Sequence, residues 1–192
     1  TVIRPDLRDI SSTFFIDPLT EFLVRGSPSL VETELTNVDF RWEWYMSQGN
    51  NISVALFYKD MENPIEMVQF DGGEGVPQLL TANGEEGELY GIEFEFLHDL
   101  SFVDDSLSNF FISGNMTLSD SEVTIGSDDQ DSLFSQQARE AYGGTITATI
   151  TNDQRRLVGH SEWVANIQMG WDSSNGEHSA SLVYNAFGER II

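Results

Sequence analysis

The residues able to do chemistry are few and scattered. Three histidines, His98, His160 and His178, lie far apart and lack the spacing of a metal-ligand set. Each reads as a turn or strand-end residue. The chain has no cysteine, so it has neither a disulfide framework nor a thiolate nucleophile. Asp128-Asp129-Gln130-Asp131 offers carboxylate oxygens but not the spacing of a calcium loop, and reads as a solvated loop. Glu93 and Glu95 alternate along an extended stretch and share a face, which invites a paired-carboxylate reading. Two acids lining a wet surface beside Lys59 are the simpler reading. Serines are plentiful, but none sits in a nucleophile elbow. The expectation is a protein that is not an enzyme, with no catalytic residue, no cofactor site and no metal site.

The elements that carry these residues alternate with period 2. Val38, Phe40, Trp42 and Trp44 fall on one face, and Asp39, Arg41 and Glu43 on the other. The same alternation runs from Ile52 to Lys59, from Tyr90 to Phe96, from Phe110 to Leu118, from Trp163 to Trp171 and from His178 to Ala186. Six strands of about ten residues follow, with only a weak helical signal near Phe134 to Tyr142. The expected fold class is all-β, an antiparallel up-and-down meander of about six long strands.

Connections alternate in length. Gln48-Gly49-Asn50-Asn51 reads as a tight turn, Asp99 to Ser108 as a short link, and Asn175-Gly176 as a hairpin signal. The other two connections, about 61–88 and 120–160, read as long loops. Loops sorted in this way suit a barrel with short turns at one rim and long loops at the other. Trp163 and Trp171 share a face eight residues apart, roughly 26 Å at ~3.3 Å per residue. With the strand tilted, that suits two aromatic girdles around an apolar band ~25 Å tall. Tyr58 and Tyr90 fall at the long-loop end of this band, and Trp44 near a short turn.

Composition narrows the classes further. The 192 residues are 40% hydrophobic and 11% aromatic, too apolar for a disordered chain. No run of apolar residues is long enough for a transmembrane helix, which leaves a membrane barrel open. Nine Lys and Arg face 32 Asp and Glu, a formal net charge of −23. Nucleic acid and anionic membrane surfaces are disfavoured partners. Many acids fall in the long connections, Asp71 to Glu88 and Asp120 to Asp131. Thr1-Val2-Ile3-Arg4-Pro5 lacks the features of a signal peptide. Alternation alone is shared by half-buried soluble sheets, so a soluble β-rich adhesin or carbohydrate-binding module is the other reading.

Seven segments carry a family resemblance, in order along the chain. Arg4-Pro5-Asp6-Leu7-Arg8-Asp9-Ile10, then Asp17-Pro18 and Gly26-Ser27-Pro28-Ser29-Leu30, resemble segments of TonB-dependent receptors. Asn37-Val38-Asp39 is similar to their Asn-Tyr-Asp strand start. Phe57-Tyr58-Lys59-Asp60 with Pro64-Ile65-Glu66 resembles their Phe-Tyr-Lys and Pro-Ile-Glu. Tyr90-Gly91-Ile92-Glu93 matches a Tyr-Gly-x-Glu strand. Arg156-Leu157-Val158-Gly159-His160-Ser161 looks like Arg-x-Leu-x-Gly-Gln-Ser, and Tyr184-Asn185-Ala186-Phe187-Gly188-Glu189-Arg190-Ile191 like Tyr-Asn-x-Phe-Gly-x-Arg-Ile. Two positions depart from the pattern: Glu32 stands where proline is frequent, and His160 where glutamine is usual.

The resemblance implies a fragment, residues 1–192, of the middle-to-late strands of a 22-stranded outer-membrane barrel. The plug domain, the Ton box and the terminal strand would lie outside it. It implies a cell outer-membrane location in a Gram-negative envelope. The expected function is active uptake of a scarce ligand: a ferric siderophore, haem, cobalamin or an oligosaccharide. Expected partners are outer-membrane lipid, the rest of the barrel and plug, and a TonB-type energy-coupling protein. The motif positions are expected to be structural: Arg4, Pro5, Asp6, Arg8, Asp17, Pro18, Tyr58, Lys59, Tyr90, Gly91, Glu93, Gly159, Ser161, Tyr184, Asn185, Gly188 and Arg190. No ligand-contact residue follows from them.

Overall fold

A computed structural model describes residues 1–18, 21–47, 49–71, 77–126, 132–142 and 153–191. The six long strands are β4 (Thr33–Ser47), β5 (Asn50–Glu62), β8 (Glu86–Asp99), β9 (Phe110–Thr124), β11 (Trp163–Asp172) and β12 (Ser179–Phe187). They pair antiparallel in sequence order, β4-β5-β8-β9-β11-β12, with no crossing among them. Two short strands join this sheet: β1 (Val2–Ile3) beside β4, and β10 (Gln154–Arg155) beside β9. The sheet is open, a fragment of a barrel. Of the six strands, β4, β5, β8 and β9 run longer than the alternation suggests, at 13 to 15 residues. At the long-connection end their extra residues continue period 2, and the positions in register with the apolar face become acidic: Glu34, Asp60, Glu62, Glu86, Glu88, Asp120 and Glu122.

Directly paired residues share a face of a pleated sheet, so register sorts the side chains. One row runs Phe40, Leu56, Ile92, Leu118, Trp163. The next runs Trp42, Val54, Phe94, Met116, Ala165, Ala186. Met169 pairs with both Ile112 and Leu182, and Trp171 with Phe110, on this same apolar face. The opposite face carries Arg41, Ala55, Glu93 and Thr117 in one row and Glu43, Ser53, Glu95, Asn115, Asn166 and Asn185 in the next. The apolar face is uncovered: Phe40 is 64% exposed, Ile167 49% and Leu182 75%.

The buried core lies elsewhere, at one rim. The stretch expected as a long loop at 61–88 instead contains β6 (Ile65–Asp71) and β7 (Pro77–Asn83), a hairpin between β5 and β8. These strands form a second sheet with β2 (Phe14–Ile16) and β3 (Leu23–Arg25), in the order β2-β3-β7-β6. The β3–β7 pair is parallel. The other long connection contains α1 (Leu133–Tyr142) and β10, so the weak helical signal is a real helix. Phe134, Ala138 and Ala141 form a stripe at helical spacing and bury against Leu80 and Ala82 of β7, Val123 of β9 and Ile125 just past it. Val123 pairs with Gly87 and Arg155, which places it in the register of the polar face. This cap therefore covers the polar side of the sheet at its upper end. Asp128-Asp129-Gln130-Asp131 and Gln48 lie outside the described residues.

At the other rim, β4 and β5 turn at Gly49, whose φ of 81° suits glycine. Short 3-10 turns at Leu100–Phe102 and Asp105–Leu107 join β8 to β9. Asn109 bonds Ser174 of the β11–β12 turn, so these connections gather at one end, opposite the cap.

Candidate functional site

Three sets of side chains stand out: a charged cluster on the polar wall, an amide lock in the cap, and a strap that ties cap to wall. The wall cluster centres on Arg41. Its Nε donates to Glu43 at 2.6 Å, and its Nη2 donates to Ser53 Oγ at 2.9 Å and to Glu95. Ser53 donates to Glu95 at 2.9 Å, and the Tyr45 hydroxyl to Glu43 at 2.6 Å. Residues two apart on β4 and opposite on β5 and β8 converge because they share the wall. Beside them Asn166 donates to Asn115 at 2.7 Å, and a groove of about 180 Å³ runs past Glu95, Ser113, Asn166 and Gln168.

The register corrects one expectation. Glu93 and Glu95 do share the wall, but Lys59 is not their neighbour: Lys59 opposes Asn37 and Leu89, Glu93 opposes Ala55, and the cation beside Glu95 is Arg41. Offsets of four and six residues from the Lys59 row put Glu93 and Glu95 two and three rows lower. Among the described residues no group of His, Asp and Glu is arranged to hold a metal ion.

The cap's lock is made of amides. Asn83, fully buried, donates from Nδ2 to the carbonyls of Val31 at 3.0 Å and Asn63 at 2.8 Å. Its Oδ1 accepts from Val31 N at 2.9 Å and from Gln137 Nε2 at 2.8 Å. Gln137 Oε1 accepts from Asn83 N at 2.7 Å, and Gln137 Nε2 also donates to Ser29 O at 3.2 Å. One pair of side chains thus fastens α1, β7, the Ser29–Val31 segment and the β5–β6 turn, with its polar atoms satisfied. Sequence reasoning missed both residues. The available signal was Gln137 on the apolar stripe of α1, a polar side chain placed where only a partnered one is tolerated.

The strap is the segment from Gln154 to Ser161. Arg155 Nη2 donates to Glu66 at 2.9 Å and to Met67 O at 3.2 Å, reaching the cap. Both side chains of this ion pair are largely buried. Burial pushes the Glu66 carboxyl above the usual carboxylate range, against the opposing pull of Arg155 and of the Val158 amide. Nearby, burial pushes the Tyr142 hydroxyl up to about 12, opposed by Arg25, whose guanidinium lies 5.2 Å from that ring. Leu157 packs against the cap core. His160 faces Ser119 Oγ at 2.9 Å through Nε2 and Ser121 Oγ at 2.8 Å through Nδ1. Its burial lowers the imidazole below the usual histidine value, with Asp120 the largest opposing influence.

The motif positions fall into three places. The first segment wraps β3: Arg4 reaches Glu32 at 3.5 Å, with Pro5 leading into a turn where Asp6 O accepts from Asp9 N at 3.0 Å. Arg8 lies 5.3 Å over the Phe15 ring. Asp17 O accepts from Glu21 N at 2.8 Å in the turn that contains Pro18. Gly26 allows close approach, since a Cβ there would stand 2.1 Å from Asp9 O. The second place is mid-sheet: Tyr58 pairs with Tyr90 at the cap end of the apolar face, and Gly91 leaves room for the Phe57 ring on the wall. The third joins two motifs distant in sequence. Gly159 N donates to Ile191 O at 2.8 Å, Ser161 Oγ to Gly188 O at 3.1 Å, and Arg190 Nε to Ser161 Oγ at 2.8 Å. Arg190 also lies 4.1 Å over Phe187, and Tyr184 and Asn185 pair with Ile167 and Asn166.

A sheet of this topology, uncovered on its apolar face and charged on the other, has a counterpart among known protein families. The sequence model of the family described as "TonB dependent receptor-like, beta-barrel" matches residues 1–191. The chain belongs to the TonB-dependent receptor β-barrel family. No curated protein matches it with significance. Membership gives the two faces their names: the apolar face is the lipid-facing side of an outer-membrane barrel and the polar wall faces its lumen. The family's proteins are transporters rather than enzymes, and the outer membrane is where this barrel works.

Proposed function

We propose that the whole receptor captures a scarce small molecule at the capped rim and draws it inward along the lumen wall. Energy would arrive through a TonB-type coupling protein acting on a plug that faces this wall. The observation that carries the reading is the division of one sheet into an exposed apolar face and a charged, amide-rich opposite face. A soluble adhesin has no reason to leave Phe40, Ile167 and Leu182 in water. The motif residues act as structure in this reading, as the ties of Ser161, Gly188 and Arg190 suggest, and catalysis has no part in it.

Charge gives the ligand a sign. Beyond Tyr58 and Tyr90 the strands carry Glu34, Asp60, Glu62, Glu86, Glu88 and Glu122, and the connections are acidic too. Their field favours a neutral or cationic ligand over a polyanionic one. The test is uptake by cells carrying the full receptor, offered ferric siderophores of differing charge, haem, cobalamin and neutral oligosaccharides, with and without the coupling protein. Coupling-dependent uptake of a neutral or cationic compound is expected. Uptake indifferent to the coupling protein would defeat the transport reading, and a preference for a highly anionic compound would defeat the charge argument alone.

A further inference from the structure

We propose that His160 is a proton-operated clasp: in its neutral form it pins the Gln154–Ser161 strap to β9, and its protonation frees the strap and loosens the cap over the lumen mouth. The geometry suits a neutral ring held from both sides. Ser121 Oγ accepts from Leu157 N at 3.2 Å, which leaves its own proton free to donate to His160 Nδ1 at 2.8 Å. Nε2 then carries the ring proton and donates to Ser119 Oγ at 2.9 Å. A proton arriving at Nδ1 turns it into a donor, so the Ser121 hydroxyl must accept from both His160 and Leu157 N, and its own buried proton loses the acceptor that Nδ1 gave it.

The strap transmits the change because its other contacts point at the cap. Leu157 packs on the cap core, Arg155 holds Glu66 and Met67 O, and the Val158 amide bonds Glu66. Three charged groups face the ring. Asp120 of β9 and Glu162 after the strap favour the imidazolium, Arg156 within the strap opposes it, and burial outweighs the two acids. The folded strap binds the proton less tightly than the free strap does. Its hold is therefore complete above about 6.5, the ordinary histidine value, and is lost as pH falls below it. Glu66 acts with the opposite sign, since its raised carboxyl gains a proton more readily in the folded cap. A glutamine at position 160 offers one donor and one acceptor and does not titrate, so this histidine adds pH control where a glutamine would give only attachment.

The experiment uses the full receptor in lipid nanodiscs and follows amide exchange of Leu157 and Val158 at pH 7.5 and pH 5.5. Comparing the wild type with His160→Gln at each pH cancels the intrinsic pH dependence of exchange. A several-fold faster exchange of the wild type at pH 5.5, absent from His160→Gln, is expected. Equal acid opening in both proteins, or none in the wild type, overturns the proposal. A second measurement does not depend on the variant folding well: the His160 ring is titrated by NMR in the wild type. A ring midpoint below about 6.5, the ordinary histidine value, coinciding with the amide opening, supports the clasp. An opening that does not follow the His160 ring overturns it.

Discussion

The middle of the long strands and the cap at their end bury apolar side chains in opposite directions. In the middle, Phe40, Leu56, Phe94, Ile167 and Leu182 point away from all other protein. In the cap, Leu80, Ala82, Val123, Phe134 and Ala138 turn inward and are almost fully buried. The chain is continuous between them: β9 presents Met116 and Leu118 outward at one height and Val123 inward a few residues on. One strand thus serves two solvents. Where lipid is the surroundings, an exposed leucine costs nothing and the charged residues retreat to the lumen. Where water is the surroundings, the ordinary hydrophobic effect builds a core.

This contrast can be broken most forcefully in the cap. Leu80→Ala should destabilise the cap by ~2–5 kcal/mol, as for other buried leucines. Amide exchange across α1 and β7 should rise sharply while the β5–β8 pairing stays protected. Next comes the lipid-facing band. Ile167 lies four residues from both Trp163 and Trp171, midway between the two tryptophans. Ile167→Arg should cost ~2–4 kcal/mol in bilayer refolding, the range for a cation at the midplane of a barrel. Gln168→Arg, one residue along but facing the lumen, should change little. A comparable loss for both would contradict the facing.

Smaller effects sharpen the cap. Gln137→Ala leaves Asn83 N and Ser29 O without their partner and should cost ~1–3 kcal/mol, read as faster exchange of Asn83. Glu66 predicts a slope. Its carboxyl is raised in the folded state, so cap stability should fall as pH rises from the ordinary glutamate range through the raised value. Glu66→Gln should flatten that slope in a pH series of exchange measurements. Arg4→Ala should be the least consequential change, without a measurable effect on unfolding. Its contact with Glu32 is long and solvent-exposed.

The long strands were readable because period 2 is a local signal, and Val38 to Trp44 or Trp163 to Trp171 carries it without help. The second sheet was not. Strands β2 and β3 have three residues each, too short to show a period, and β7, the parallel partner of β3, lies more than 50 residues on. Helix α1 was half readable: Phe134, Ala138 and Ala141 keep helical spacing, but Gln137 among them signals a core position only once Asn83 is known to meet it. The strap was least accessible. His160 read as an isolated turn residue because Ser119 and Ser121, its two partners, are about 40 residues away in sequence.

The central claim, one sheet with a lipid face, a lumen face and a watery cap, is tested most directly by spin-label accessibility. The chain has no native cysteine, so each introduced cysteine reports its own position. Labels placed one at a time along β5 from Ser53 to Glu62, in the full receptor in lipid vesicles, would be relaxed by oxygen and by a water-soluble nickel complex. Oxygen should dominate at Val54, Leu56 and Tyr58 and nickel at Ala55, with the alternation giving way to nickel at Asp60 and Glu62. Nickel access at Val54 and Leu56 equal to that at Ala55, or exclusion of both reagents from the apolar face, would contradict the account.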